Sequence, residues 1–160
     1  MISNSPAILG PVTTTDVRDC SIARTLEVVG EKWSLLAVRE LMLGSDRFEE
    51  IVRRTGAPRD ILTTRLRKLE AHGLVEREPY QDRPVRHRYR LTALGWSLAP
   101  VLTMLRDWGD THLVGPEGPP VTLRHTCGEL LRPRIHCAAC GEAVTSRDLE
   151  VVTDGTSDRG

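Results

Sequence analysis

Three of the four cysteines stand close together near the C-terminus, in the order His125-Thr126-Cys127-Gly128, then Cys137-Ala138-Ala139-Cys140-Gly141, with nine residues between Cys127 and Cys137. Two thiolates three positions apart grip a single ion while the following glycine permits a tight turn, which is one knuckle of a zinc ribbon. His125 and Cys127, two apart, fall on one face of a strand and would complete a tetrahedron. The expectation is therefore one structural Zn²⁺ per chain on His125, Cys127, Cys137 and Cys140, with His136 competing for the place of His125. Residues 121–150 carry few apolar side chains, and so small a segment needs a staple to hold together. The readings without metal are three reduced cysteines in a docked peptide, or a redox pair of Cys137 and Cys140.

A second constellation is cationic. Lys plus Arg equals Asp plus Glu, 22 each, yet residues 46–90 hold 12 basic against 8 acidic side chains. Arg83, Arg86, Arg88 and Arg90 fall within eight residues without one carboxylate. A local patch of this kind meets phosphates whatever the total charge is. Upstream, Arg59, Asp60, Thr63, Thr64, Arg67 and Lys68 share the polar side of a segment whose Ile61, Leu62, Leu66 and Leu69 recur at helical spacing, and Arg and Thr side chains suit base edges and phosphates. An ordinary solvated surface is the alternative for both sets.

The elements that must position these groups follow from periodicity. Ile22, Ala23, Leu26 and Val29 mark a first helix over 17–29, and Trp33, Leu36, Ala37 and Leu41 a second that closes at Gly44. Ser45 or Asp46 is expected to cap a short third helix containing Phe48, Ile51 and Val52. Thr55-Gly56-Ala57-Pro58 breaks the chain, and Pro58 fits the first position of the next helix, Arg59 to His72. Val85, His87, Tyr89 and Leu91 then alternate with arginines after the turn-like Gln81-Asp82-Arg83-Pro84. That is a two-stranded wing with its cations outward. Thr92 is expected to cap one long helix containing Leu94, Leu98, Val101, Leu102, Leu105 and Trp108, whose apolar excess calls for a second subunit. The fold class is thus α+β, mainly helical: a winged helix-turn-helix with a long C-terminal dimerisation helix and a small zinc-ribbon-like appendage. Its divisions are a mobile arm over 1–15, the winged domain over 16–114, a Pro/Gly linker over 115–120, the ribbon over 121–152 and a tail over 153–160.

Cys20, Val29-Gly30-Glu31-Lys32-Trp33, Arg47-Phe48, Leu62-Thr63-Thr64-Arg65-Leu66-Arg67-Lys68-Leu69-Glu70, Gly73-Leu74-Val75, Arg90-Leu91-Thr92, Leu94-Gly95 and Trp108-Gly109 stand in the order typical of the HxlR family of bacterial regulators. Across residues 17–110 the chain resembles that family. The resemblance implies a homodimer on duplex DNA, with Arg59 to His72 in the major groove, the wing along the backbone, and the first and last helices of the domain forming the dimer. Some family members carry a redox-responsive cysteine at the position of Cys20; a small residue buried at the dimer interface is the other reading. Where the family's recognition helix usually opens with residues such as Ser and Gln, this chain has Pro58-Arg59-Asp60, so no family operator transfers to it.

These observations imply a transcriptional regulator that grips phosphates with Arg83, Arg86 and Arg88 and reads an inverted repeat with Arg59, Thr63, Thr64 and Arg67. No Gly-rich phosphate loop, nucleophile elbow or paired metal-hydrolase histidine motif appears, and His72, His87 and His112 are scattered, so an enzyme is not expected. A winged-helix protein-interaction module is the rival function. No apolar run approaches the roughly 20 residues of a membrane span, and no secretory pattern opens the chain, which places it in the cytoplasm. Any small-molecule or redox effector is not legible.

Overall fold

A computed structural model describes residues 20–145 and 147–150. The expected arm and tail, and residues 17–19 of the expected first helix, lie outside the described residues. The chain divides into two compact units that part between Leu102 and Thr103.

In the first unit, α1 (Ser21–Val29), α2 (Lys32–Met42), α3 (Phe48–Thr55) and α4 (Arg59–Ala71) precede a two-stranded antiparallel sheet, β1 (Val75–Asp82) and β2 (Val85–Leu91), and then the single turn α5 (Ala93–Trp96). Val28, Val29, Ala37, Val38, Leu41, Ile51, Leu62, Leu66, Leu69, Leu74 and Val75 form one core, so every one of α1 to α4 contributes a stripe to it. The turn between α3 and α4 requires Gly56, whose φ of +70° is left-handed backbone that a side chain would strain. Thr55 stiffens the same turn: its hydroxyl donates to the Ile51 carbonyl at 2.7 Å and accepts from the Ala57 N–H at 3.2 Å. At the far end of α4, Leu74 N–H donates to the Leu69 carbonyl and Gly73 N–H to that of Glu70, a double closure that satisfies the last carbonyls and turns the chain into β1.

Three local expectations are corrected. Neither Ser45 nor Asp46 caps α3: Arg47 occupies that position without a side-chain bond, Ser45 is buried, and the Asp46 backbone carbonyl instead receives the Tyr89 N–H at 2.8 Å. Pro58 is the cap residue of α4, extended at ψ 138°, and Arg59 takes the first helical position. The long helix from Thr92 is two helices. Thr92 does cap α5, its hydroxyl accepting the Gly95 N–H at 3.1 Å, but the run stops and α6 (Ala99–His112) starts afresh. Pro100 supplies the reason, since it has no N–H for the Trp96 carbonyl and its ring would crowd that oxygen.

The second unit, beyond the helix, is built from two small hairpins. One pairs Arg124 with Leu130, and the other pairs His136 with Ala143. Cys137 N–H to Glu142 O at 2.8 Å and Val144 N–H to Ile135 O at 2.9 Å hold the latter, turning at Gly141 with φ +77°. Leu123, Leu130 and Ile135 are all exposed there, so apolar burial contributes little to this unit. No described helix is long and apolar enough to cross a membrane.

Candidate nucleic-acid interface

The exposed side of α4 is set by what its core residues leave over. With Leu62, Leu66 and Leu69 buried, 3.6-residue periodicity turns Asp60, Thr64 and Arg67 outward, and all three are exposed. Arg59 and Thr63 flank that stripe on the side of α3 and the wing. Thr63 and Thr64 donate their hydroxyl protons to the Arg59 and Asp60 carbonyls, at 2.8 and 3.0 Å. In this arrangement each offers a partner only its oxygen lone pairs and its methyl group. Lys68 lies on the opposite flank, where it and Arg65 pair with Glu31 just ahead of α2. Of the six expected α4 positions, Lys68 is therefore committed to holding α4 on α2.

The wing meets the same face. Val75 pairs with Leu91 and Asp82 with Val85, and an extra residue, Tyr80, is accommodated in β1 between Pro79 and Gln81. The Tyr80 ring lies 5.3 Å from the guanidinium carbons of both Arg47 and Arg88, and Arg88 also pairs with Asp46 at 3.5 Å. Arg90 pairs with Glu78 at 3.5 Å. The expected outward row of arginines is thus only partly outward, because Arg88 is half-buried and engaged. Among the described residues, Arg83 and Arg86 are exposed and take part in no ion pair. A bridge between Arg47 and Arg88 joins the wing to the residue preceding α3, and a cavity of about 510 Å³ opens there, lined in part by Phe48, Glu49, Thr63, Tyr80 and Arg86.

Glu49 is the functional residue that sequence reasoning missed. Its two carboxylate oxygens accept from Nη1 and Nη2 of Arg59, each at 2.5 Å. Those hydrogen bonds hold the Glu49 carboxyl below the usual carboxylate range, and the charge of nearby Arg86 acts in the same direction. No periodicity reports such a pair. The signal available was a glutamate in the first turn of a helix ten residues before an arginine, and only the turn between the helices brings them together.

A helix-turn-helix with a wing, presenting an Arg/Thr helix face and unpaired arginines, is the geometry of a duplex-DNA reader. The family model described as HxlR-like helix-turn-helix matches residues 28–116. The chain belongs to the HxlR-like family. An HTH-type transcriptional regulator of Mycobacterium tuberculosis (strain H37Rv) is 48% identical over 130 residues, spanning 81% of this chain and 82% of that protein. Among solved structures, PA1607, a candidate transcription factor, superposes with a TM-score of 0.75 and 33% identity over 85% of this chain and 96% of its own. The redox regulator HypR in its reduced form gives 0.55 and 34% over 59% of this chain and 94% of its own. This HxlR-like chain is thus a DNA-binding transcriptional regulator by kinship, and its relatives are regulators rather than enzymes. Residues 1–116 alone cannot supply 85% of the chain, so the likeness to PA1607 extends into the second unit.

The expected metal ligands are brought together only in part. Cys137 and Cys140 lie in one turn closed by Gly141 N–H on the Cys137 carbonyl at 2.8 Å, where the backbone N–H groups of Cys140 and Ala139 and the Cys140 side chain lower the pKa of the Cys137 thiol. His125 folds onto its own loop, Nδ1 accepting the Cys127 N–H at 3.3 Å, and Nδ1 of His136 lies 2.9 Å from the Gly141 carbonyl oxygen. Among the described residues no three His, Cys, Asp or Glu side chains gather in metal-holding geometry. His125 and Cys127 do not join Cys137 and Cys140 in one such group. Cys20, half-buried, stands at the N-terminal boundary of α1.

Proposed function

We propose that this HxlR-like regulator is a homodimer that reads an inverted repeat, each chain placing α4 in a major groove and resting its wing on the adjacent backbone. The observation that carries the reading is the outward stripe of Asp60, Thr64 and Arg67 on α4 beside the unpaired, exposed Arg83 and Arg86 of the wing. A major groove admits an α-helix, and only there are all four base-pair orientations distinguishable. Half-sites would be centred about 10 base pairs apart, or a multiple of that. Fluorescence anisotropy with the DNA upstream of its own gene tests the reading: selective binding over scrambled competitor is the expected result, and equal affinity for both would overturn it.

The dimer is supported by apolar side chains that the single chain leaves in solvent. Ile22 and Leu26 on α1 are 70% and 53% exposed, and Val101, Leu105 and Trp108 form a stripe on α6 at about half exposure. Exposed apolar side chains on a helix face, taken on each helix by itself, mark association surfaces. Leu105→Glu is expected to weaken the dimer by at least about tenfold, because a charge buried without a partner is costly, with helix content unchanged. Sedimentation velocity checks it, and an undiminished dimer would place the seam elsewhere.

The second unit we propose to be a zinc-stapled ribbon, with Cys137 and Cys140 as the first pair of ligands and His125 and Cys127 as the second. Its two hairpins, each turning beside a cysteine, and its lack of buried apolar side chains support this reading. Zinc there would be structural. One zinc per chain by mass analysis of protein purified without chelator is the expected result, and a metal-free folded protein would remove the staple.

A further inference from the structure

Arg59 is held on two sides before any DNA arrives. Its guanidinium meets Glu49 through both terminal nitrogens, and its central carbon lies 5.2 Å from the centre of the Phe48 ring. Both partners belong to the first turn of α3, the helix on the other side of the Gly56 turn. The pair is well exposed, 61% for Arg59 and 69% for Glu49, so it contributes little to stability. What it does constrain is the orientation of the guanidinium.

A guanidinium has five N–H donors in one plane. Glu49 takes one from each terminal nitrogen at the end of the fork, which leaves Nε–H and an outer N–H along the side edge. Two parallel donors on one edge match O6 and N7 of guanine. We propose that Glu49 is a positioning residue for base readout, fixing the Arg59 guanidinium by its end so that its side edge is presented to a guanine in the major groove. This rests on the reading that α4 enters that groove. A carboxylate near phosphates weakens binding to every sequence, and Arg59 offsets that charge while Glu49 gives the arginine its aim.

The test is selection from a pool of randomised duplexes by the full-length wild type, followed by competition binding of the enriched duplex and its single-base variants. Arg59→Ala is expected to reduce discrimination at one position of each half-site by about tenfold. Glu49→Gln should relax the same position severalfold while raising affinity for scrambled DNA, and Glu49→Asp, which keeps the charge but shortens the reach, should relax it too. In the Arg59→Ala background, Glu49→Gln should cause no further loss of preference, as residues acting through one another are not additive. Thermal midpoints within about 2 °C of wild type would separate this effect from unfolding. If Arg59→Ala relaxes a position and both Glu49 variants leave it intact, the positioning role is overturned alone. If wild type enriches no sequence, or Arg59→Ala changes no preference, the reading beneath it falls as well.

Discussion

Affinity for operator DNA is expected to fall roughly a thousandfold as monovalent salt rises from about 50 to about 200 mM, the loss that accompanies about six phosphate contacts. The number comes from the surface. Arg67, Arg83 and Arg86 are exposed and outside the ion pairs of the described residues, which gives three cations per chain, or six in the proposed dimer. Each such contact releases condensed counterions and adds about 0.9 to the slope of log affinity against log salt. Arg86→Ala should therefore lower that slope by nearly two per dimer and weaken all sequences alike. Arg88→Ala should not, because Arg88 is spent on Asp46 and Tyr80, and its loss loosens the wing instead. A salt series on the three proteins checks both statements, and a slope near zero for wild type would mean that the wing arginines do not meet phosphates.

The largest effect on stability is expected from Gly95→Ala. A Cβ at that position would stand 2.1 Å from the Leu74 carbonyl oxygen and 2.9 Å from Cδ2 of Leu91. The side chain of Leu91 can yield; the carbonyl cannot easily do so, since it accepts the Thr92 backbone N–H at 3.1 Å, beside the Thr92 hydroxyl, which donates to the neighbouring Gly73 carbonyl at 2.6 Å. Relieving the clash therefore separates α5 from the base of the wing and breaks the Thr92 cap. A loss of about 2–3 kcal/mol follows from overpacking combined with a lost hydrogen bond, which corresponds to a thermal midpoint lower by roughly 10 °C. Differential scanning calorimetry checks it. A midpoint unchanged within about 2 °C would show that α5 moves away without cost, and that Leu94-Gly95 serves something other than this close approach.

What the sequence disclosed and what it withheld divide along one physical line. Apolar periodicity records which side chains a helix or strand must bury, so Leu62, Leu66 and Leu69 defined α4, and alternation across Val85 to Leu91 defined the wing. Charges carry no such record. Lys68 pairs with Glu31, Arg88 with Asp46 and Arg59 with Glu49 across elements that meet only in three dimensions, and each pairing changes what an apparently free cation can do. Pro100 stands inside an apolar run whose periodicity alone predicts one helix, and its missing N–H is sufficient to divide that helix. The cysteine cluster shows the same line in miniature: the turn linking Cys137 to Cys140 is local and closes with Gly141 N–H on the Cys137 carbonyl, while the approach of His125 and Cys127 depends on how two hairpins meet.

The backbone links between the wing and the start of α3, the Arg47–Arg88 bridge and the Tyr89 N–H to the Asp46 carbonyl, have a consequence for control. They make helix and wing a single reading head with a fixed bite. In the proposed dimer, a signal that silenced the regulator would have two levers, the spacing between the two heads or the integrity of one head; adjusting the bite alone would first have to unzip the short strand pairing that sets it.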